Sequence, residues 1–402
     1  MYARERYGII LALVMLLMTG CSAEDVVMEN MTAPEDGVAI SFCCNYDDET
    51  PITRAGYEGT MNTEDLRTTG FGAMASVTAG APPTYDNMPN LMYNQEVEYT
   101  LVGDLIDPKK GYWSYEPKKY WPNNLEHCYI SAYAPYVEPS DLEGLPADET
   151  GIIGISANNV APYIDYRRCE KPGKQVDLLW YYEEPTDIPA KTAQNKAGTL
   201  AMQMRHALAR LELKVALAAD PGTTKVLIEE IILTGKMAKT GRLSLCSQTT
   251  EGSGVDKKYY PVWTNQVFDK NGSDEDIDHT FQIKNVDNDP ESYGIIESQV
   301  RYIPSLPYGW QPAGLRVYNP SAPEGTDNGQ QDVLNTGDRK GYVYLIPQNE
   351  LSLTITVKYK KWEMGAAEPT SGAKTTTVTP TTIANPLRGN KTYTLNLTLS
   401  GI

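Results

Sequence analysis

Histidine, phenylalanine and cysteine are scarce in this chain, at 3, 4 and 6 residues among 402. His127, His206 and His279 do not stand at metal-ligand spacing from one another, so the sequence offers no histidine-based metal site. There is no Gly-x-Ser-x-Gly elbow and no phosphate-binding P-loop, which removes the commonest hydrolase and nucleotide signatures. Glu183-Glu184 and Glu229-Glu230 are sequence neighbours. In a strand such neighbours point to opposite faces, so neither pair can work as two carboxylates on one substrate. No catalytic residue and no cofactor is assigned. Basic residues fall short of acidic ones, 35 against 52, and the net charge of -17 makes nucleic acid an excluded partner. The longest apolar run, Ile9 to Met18, has ten residues. A transmembrane helix needs about 20.

That run follows Arg4 and Arg6 and precedes Thr19-Gly20-Cys21, the charged, apolar and small-residue order of an export signal. The ending Leu17-Met18-Thr19-Gly20-Cys21 resembles the bacterial lipobox. The resemblance implies a signal peptide over residues 1–20, cleavage between Gly20 and Cys21, and acyl chains on Cys21 that hold the protein to outer-membrane lipid. Ser22 resembles an outer-membrane sorting signal, and Glu24-Asp25 a surface-export signal. Losing Arg4, Arg6 and Glu5, a net of +1, leaves the mature chain near -18. Residues 21–37 are small and polar with Pro34 and Gly37, and are expected to form a tether. Five cysteines then remain, Cys43, Cys44, Cys128, Cys169 and Cys246, an odd set without C-x-x-C spacing, so disulfides are not expected to carry the stability.

What the chain has in plenty is tyrosine, 27 residues, and alternating segments. Val38, Ile40 and Phe42 share one parity, as do Val97, Tyr99 and Leu101, and Cys128, Ile130, Ala132 and Ala134. Leu351 to Tyr359 and Tyr393 to Leu399 alternate most cleanly, and Gly, Pro and Asn clusters separate the runs. The expected class is all-β. Leu200 to Leu217 changes parity midway, which a strand bent near Ala209 or a helix would each accommodate; the β-rich surroundings favour the strand. The Pro- and Lys-bearing stretch before Gly198 suggests a boundary, giving an N-terminal unit over 38–198 and a C-terminal one over 199–402. The acidic run Asp274 to Asp278 places Asp at alternate positions as a calcium loop does, but His279 and Asn285 stand where that loop needs Gly and Glu, so a solvated turn is expected and no metal.

Several runs together resemble the fimbrillin family, the type V pilins. They are Asn94-Gln95-Glu96-Val97, Gly111-Tyr112-Trp113-Ser114-Tyr115, Lys119-Tyr120-Trp121-Pro122, Tyr129 to Pro135, Asp177-Leu178-Leu179, Arg205 to Leu211 and Lys391 to Leu395. The resemblance implies two transthyretin-like Greek-key β-sandwich domains in tandem, with Trp113, Trp121, Tyr120 and Tyr133 as core and sheet aromatics. It also implies assembly by donor-strand complementation, in which a protease removes the first strand and another fimbrial subunit fills the vacated slot. Ile52-Thr53-Arg54-Ala55-Gly56 resembles the family's arginine cleavage site, so a cut between Arg54 and Ala55 would remove Cys21 and the strand carrying Val38, Ile40 and Phe42. The implied location is the outer membrane and then the fimbrium at the cell surface, with other subunits and host or bacterial surface ligands as partners. The sequence stops at Ile402 without the family's extra C-terminal donor strand, so a tip or accessory subunit is expected. The alternative is a glycan-binding surface lipoprotein, which calls for a row of accessible aromatics.

Overall fold

The computed structural model describes residues 38–46, 61, 63–78, 88–101, 111–121, 127–169, 175, 177–187, 199–217, 224–253, 257–284, 343–363, 371–372 and 374–399. Gly20, Cys21, Arg54 and Ala55 lie outside the described residues. Among those described, 62% are in strands and 4% in helices, which makes the chain all-β.

In chain order the elements are β1 (Ser41–Tyr46), α1 (Thr63–Thr69), β2 (Phe71–Thr78), β3 (Met92–Leu101), β4 (Gly111–Ser114), β5 (His127–Ala134), β6 (Gly151–Ile155), β7 (Tyr163–Arg167), β8 (Leu179–Asp187) and β9 (Thr199–His206). There follow β10 (Ala209–Leu217), β11 (Thr224–Gly235), β12 (Thr240–Glu251), β13 (Lys258–Val267), β14 (His279–Lys284), β15 (Val343–Leu345), β16 (Leu351–Glu363), β17 (Lys374–Ala384) and β18 (Thr392–Leu399). A seven-stranded sheet runs β1-β9-β8-β5-β2-β3-β4, and a second of four strands runs β13-β12-β7-β6. The other two are β15-β10-β18 and β14-β11-β16-β17.

Burial explains which strands alternate. In β16 buried and half-buried residues alternate from Leu351 to Lys360, because one face meets the core of Ile231, Leu233 and Phe281 and the other meets water. The middle of the large sheet is covered on both faces. One face of β5, with Cys128, Ile130 and Ala132, joins a core with Phe42, Phe71 and Trp113. The other, with Tyr133, packs with Trp180, Ile164 and Leu243, the last two from the β7 and β12 sheet. Residues 71–77 of β2 are accordingly all buried and do not alternate in polarity.

The parity change in Leu200 to Leu217 is a sheet change. β9 ends at His206, Ala207 and Leu208 bend, and β10 starts a different sheet at Ala209. The bend is pinned by Ala207 N–H on the Leu178 carbonyl (2.6 Å), Trp263 Nε1 on the Ala207 carbonyl (2.9 Å) and Asn390 N–H on the Leu208 carbonyl (3.2 Å). The large sheet thus takes in Thr199 to His206, and β12 pairs with β7 across a wide stretch of sequence.

Gly70-Phe71-Gly72 lies at the junction of α1 and β2. Gly70 closes α1 at φ +64°, and a Cβ there would stand 2.7 Å from the Val97 carbonyl oxygen. A Cβ on Gly72 would collide with the Tyr133 ring. The acidic run forms an exposed turn: Asn271 Oδ1 accepts the Ser273 and Glu275 N–H groups, and Lys270 Nζ stands 2.9 Å from Asp274 Oδ1. Among the described residues, no disulfide joins any two of Cys43, Cys44, Cys128, Cys169 and Cys246.

Candidate assembly site: the slot of the first strand

Alternation in residues 38–46 gives one face that a core can take, and the structure uses it. Ile40, Phe42 and Cys44 are 1%, 5% and 5% exposed, while Ser41 and Cys43 on the opposite parity are half-buried. Phe42 sets its ring 5.6 Å from Phe71 in an edge-on pair and 5.5 Å from Tyr115; Phe71 in turn meets Trp113 at 5.0 Å. Met202, Met204 and Leu200 of β9 join the same core. Aromatics of the quoted motif runs are therefore the walls of the slot.

The backbone is held on both sides. β1 runs parallel to β9 in a register from Ser41↔Thr199 to Tyr46↔Met204, and the Ser41 and Thr199 hydroxyls lie 2.7 Å apart. Just before β1, Ile40 N–H donates to the Lys119 carbonyl and Trp121 N–H donates to the Val38 carbonyl, both at 2.9 Å, with Ala39 bridging Tyr120. The first strand thus spans β9 and the segment beyond β4. β9 itself meets β8, among the described residues, through two residue pairs, Leu179↔His206 and Trp180↔Arg205. Among the described residues, the six positions from Thr199 to Met204 have β1 as their strand partner.

Tyr115 contributes more than packing. Its hydroxyl donates to the Ile40 carbonyl at 2.7 Å and accepts the Lys119 N–H at 3.3 Å. Burial first, with Glu116 and Tyr120 adding to it against the lowering Lys119 hydrogen bond, pushes this hydroxyl up to about 12. The folded value lies above the ordinary value near 10, so this contribution to stability is complete below about pH 10 and is lost as pH rises through about 12. Tyr115→Phe should cost about 1 kcal/mol at neutral pH. The gap between wild type and variant should then close on alkaline titration, measured as paired thermal melts from pH 8 to 12. Curves that stay parallel would mean that this hydroxyl does not hold the strand.

A buried polar group anchors the chain just past the linker. Asp177, 1% exposed, accepts Met61 N–H at 3.0 Å through Oδ2 and Leu178 N–H at 2.9 Å through Oδ1, and His206 Nδ1 lies 2.6 Å from Oδ2. Arg210 Nη1 stands 3.1 Å from His206 Nε2. A guanidinium only donates, so Nε2 accepts and the ring hydrogen sits on Nδ1. Asp177, His206 and Arg210 fall in the motif runs, but nothing in their spacing showed that they meet. His206 ends β9, so one cluster ties the start of the chain after Arg54 to the strand that carries β1.

Val38, Ile40 and Phe42 are thus brought together in the slot, Val38 half-buried. Trp113, Trp121 and Tyr133 are buried core residues, and Tyr120 is half-buried. Among the described residues, no helix is long and apolar enough to cross a membrane.

A family model described as fimbrillin-like matches residues 53–277, more than half of the chain. No protein of curated function matches it. Among solved structures, the chain is similar to a fimbrial protein from Bacteroides vulgatus at 17% identity, covering 90% of this chain and 96% of that one, with a TM-score of 0.48. It is also similar to proposed cell adhesion proteins from Bacteroides uniformis (12% identity, 92% and 94% coverage, TM-score 0.34) and Bacteroides ovatus (10% identity, 91% and 92% coverage, TM-score 0.37).

Proposed function

The chain belongs to the fimbrillin-like family, and from that premise we propose that it is a structural or adhesive fimbrial subunit assembled by donor-strand complementation. The observation that carries this reading is the mode of attachment of β1. One face of the strand is buried in the core, its backbone bridges β9 and residues 119–121, and it joins the rest of the chain through the segment holding Arg54. A cut after Arg54 severs that single covalent link. Loss of the strand would bare apolar pockets and the backbone groups of Thr199 to Met204, which a strand of another subunit satisfies.

In this account Cys21 carries lipid that delivers the protein to the outer membrane, and cleavage releases lipid and strand together. The fold would then be two transthyretin-like sandwiches, the core shared by the β10 and β11 sheets serving as the second. The test is limited digestion of the full chain with an arginine-specific protease, followed by N-terminal mass spectrometry. The expected product begins at Ala55 and holds its shape until the strand is exchanged. A chain resistant in this linker, or cut only elsewhere, would reject the maturation step.

A further inference from the structure

Beside the strand slot, with Tyr115 lining both, the large sheet carries a second concave feature. Glu96 and Glu98 of β3, and Tyr112 and Ser114 of β4, have the parity opposite to the core residues Val97 and Trp113, so they stand on the outer face. There, with Tyr93 and Tyr136, they line a groove of about 540 Å³. That volume falls within the range of about 300–1,000 Å³ usual for ligand sites.

The walls are fixed in advance. Tyr93 donates its hydroxyl to the Ser156 carbonyl at 2.7 Å, Tyr136 donates to the Glu138 carboxylate, and Gln95 Nε2 donates to the Glu116 carbonyl at 2.9 Å. Side chains already held in place lose little freedom when a ligand arrives. The lining mixes tyrosine rings, which offer an apolar face with a polar edge, with carboxylate and hydroxyl groups that accept hydrogen bonds. Glu96, Glu98 and Glu116 stand in the lining against Lys118, so the groove is electronegative; burial first, then Glu98 and Glu138, pushes the Glu96 carboxyl up. Lys118 does not offset this freely, since its ammonium stands 3.7 Å from Glu116 and 4.7 Å from the Tyr115 ring centre. The carboxylates are spread out: among the described residues, no group of three or more His, Cys, Asp or Glu is placed to hold a metal ion. Dispersed acceptors beside aromatic faces suit a ligand with many hydroxyl donors and apolar C–H faces better than a point charge, and their sign repels anions.

We propose that this groove binds an uncharged glycan, whose hydroxyls donate to Glu96 and Glu98 while a sugar ring lies against Tyr112. The site gives the adhesive reading a ligand class and rests on that reading only for its biological use, because binding needs neither cleavage nor strand exchange. The experiment uses the intact, uncleaved chain and neutral oligosaccharides of glucose, galactose, mannose and N-acetylglucosamine, with sialyllactose and an oligolysine peptide as charged probes, titrated by calorimetry. At least one neutral oligosaccharide should bind at millimolar concentration or better. Tyr112→Ala and Glu98→Gln should each weaken it about tenfold with an unchanged melting temperature. No neutral binder, preference for either charged probe, or affinity indifferent to both substitutions would overturn the proposal. Each of those outcomes leaves the strand slot untouched, since glycan binding and strand exchange are read by separate assays.

Discussion

A chain that begins at Ala55, and so lacks β1, is expected to melt at least about 10 °C below the intact chain. The magnitude follows from what β1 and the residues just before it bury. Ile40 and Phe42 are worth about 1.5–3 kcal/mol each, and Cys44 somewhat less, so the three together contribute about 4–7 kcal/mol. Domains of this kind are stable by only about 5–15 kcal/mol, and in a unit of 150–250 residues each kcal/mol moves the melting temperature by about 2–4 °C. To the apolar loss is added the unmade ladder on β9, whose Thr199 to Met204 pair with β1 among the described residues. Calorimetry of the two chains checks it, with Ser41→Ala as a control on the half-buried parity, expected to cost under about 1 kcal/mol. A truncated chain that melts within about 3 °C of the intact one would show that β1 is a passenger.

Asp177→Ala should be nearly as damaging, by about 3–5 kcal/mol, although it removes few atoms, because each buried donor left without its acceptor costs about 1–3 kcal/mol. The substitution strips the acceptor from the Met61 and Leu178 N–H groups and leaves the buried His206 ring facing a void. Asp177→Asn keeps the shape and one carbonyl oxygen, and should cost roughly half as much. Denaturant titration measures both. The effect differs in kind from strand loss, because Met61 lies on the far side of the Arg54 linker and stays with the body of the protein after cleavage. Amide exchange at Met61 should therefore speed up in Asp177→Ala while the β1 ladder stays protected. A penalty under about 1 kcal/mol would remove the cluster from the account.

How far the sequence could be read depended on how many faces of each element meet water. β16 has one wet face between Leu351 and Lys360, and its alternation marks it plainly. β2 is buried on both faces, and Phe71 to Val77 reads as a featureless small apolar run. α1 escaped notice because seven residues make too little periodicity, although Leu66 is fully buried. The bend at Ala207 and Leu208 was legible as a parity change, but its physical meaning, passage from one sheet to another, needed the partners of both strands. In the slot, the buried parity of Ile40 and Phe42 was visible, yet the strand itself starts after Ile40 and covers Ser41–Tyr46. Its parallel pairing with β9, some 158 residues away, follows from no local pattern. Nor could composition show that one tyrosine among 27, Tyr115, would reach the Ile40 carbonyl.

The central claim is that the place of β1 can be filled by another strand of the same chemistry. Protein cut after Arg54 and freed of its own strand in mild denaturant should be returned to buffer with an isotope-labelled peptide of residues 37–47, and the mixture weighed by native mass spectrometry. The account predicts a complex of one peptide per chain, absent when the peptide carries Phe42→Ala. A cut chain that takes up no peptide, or takes up the Phe42→Ala peptide equally well, would contradict it.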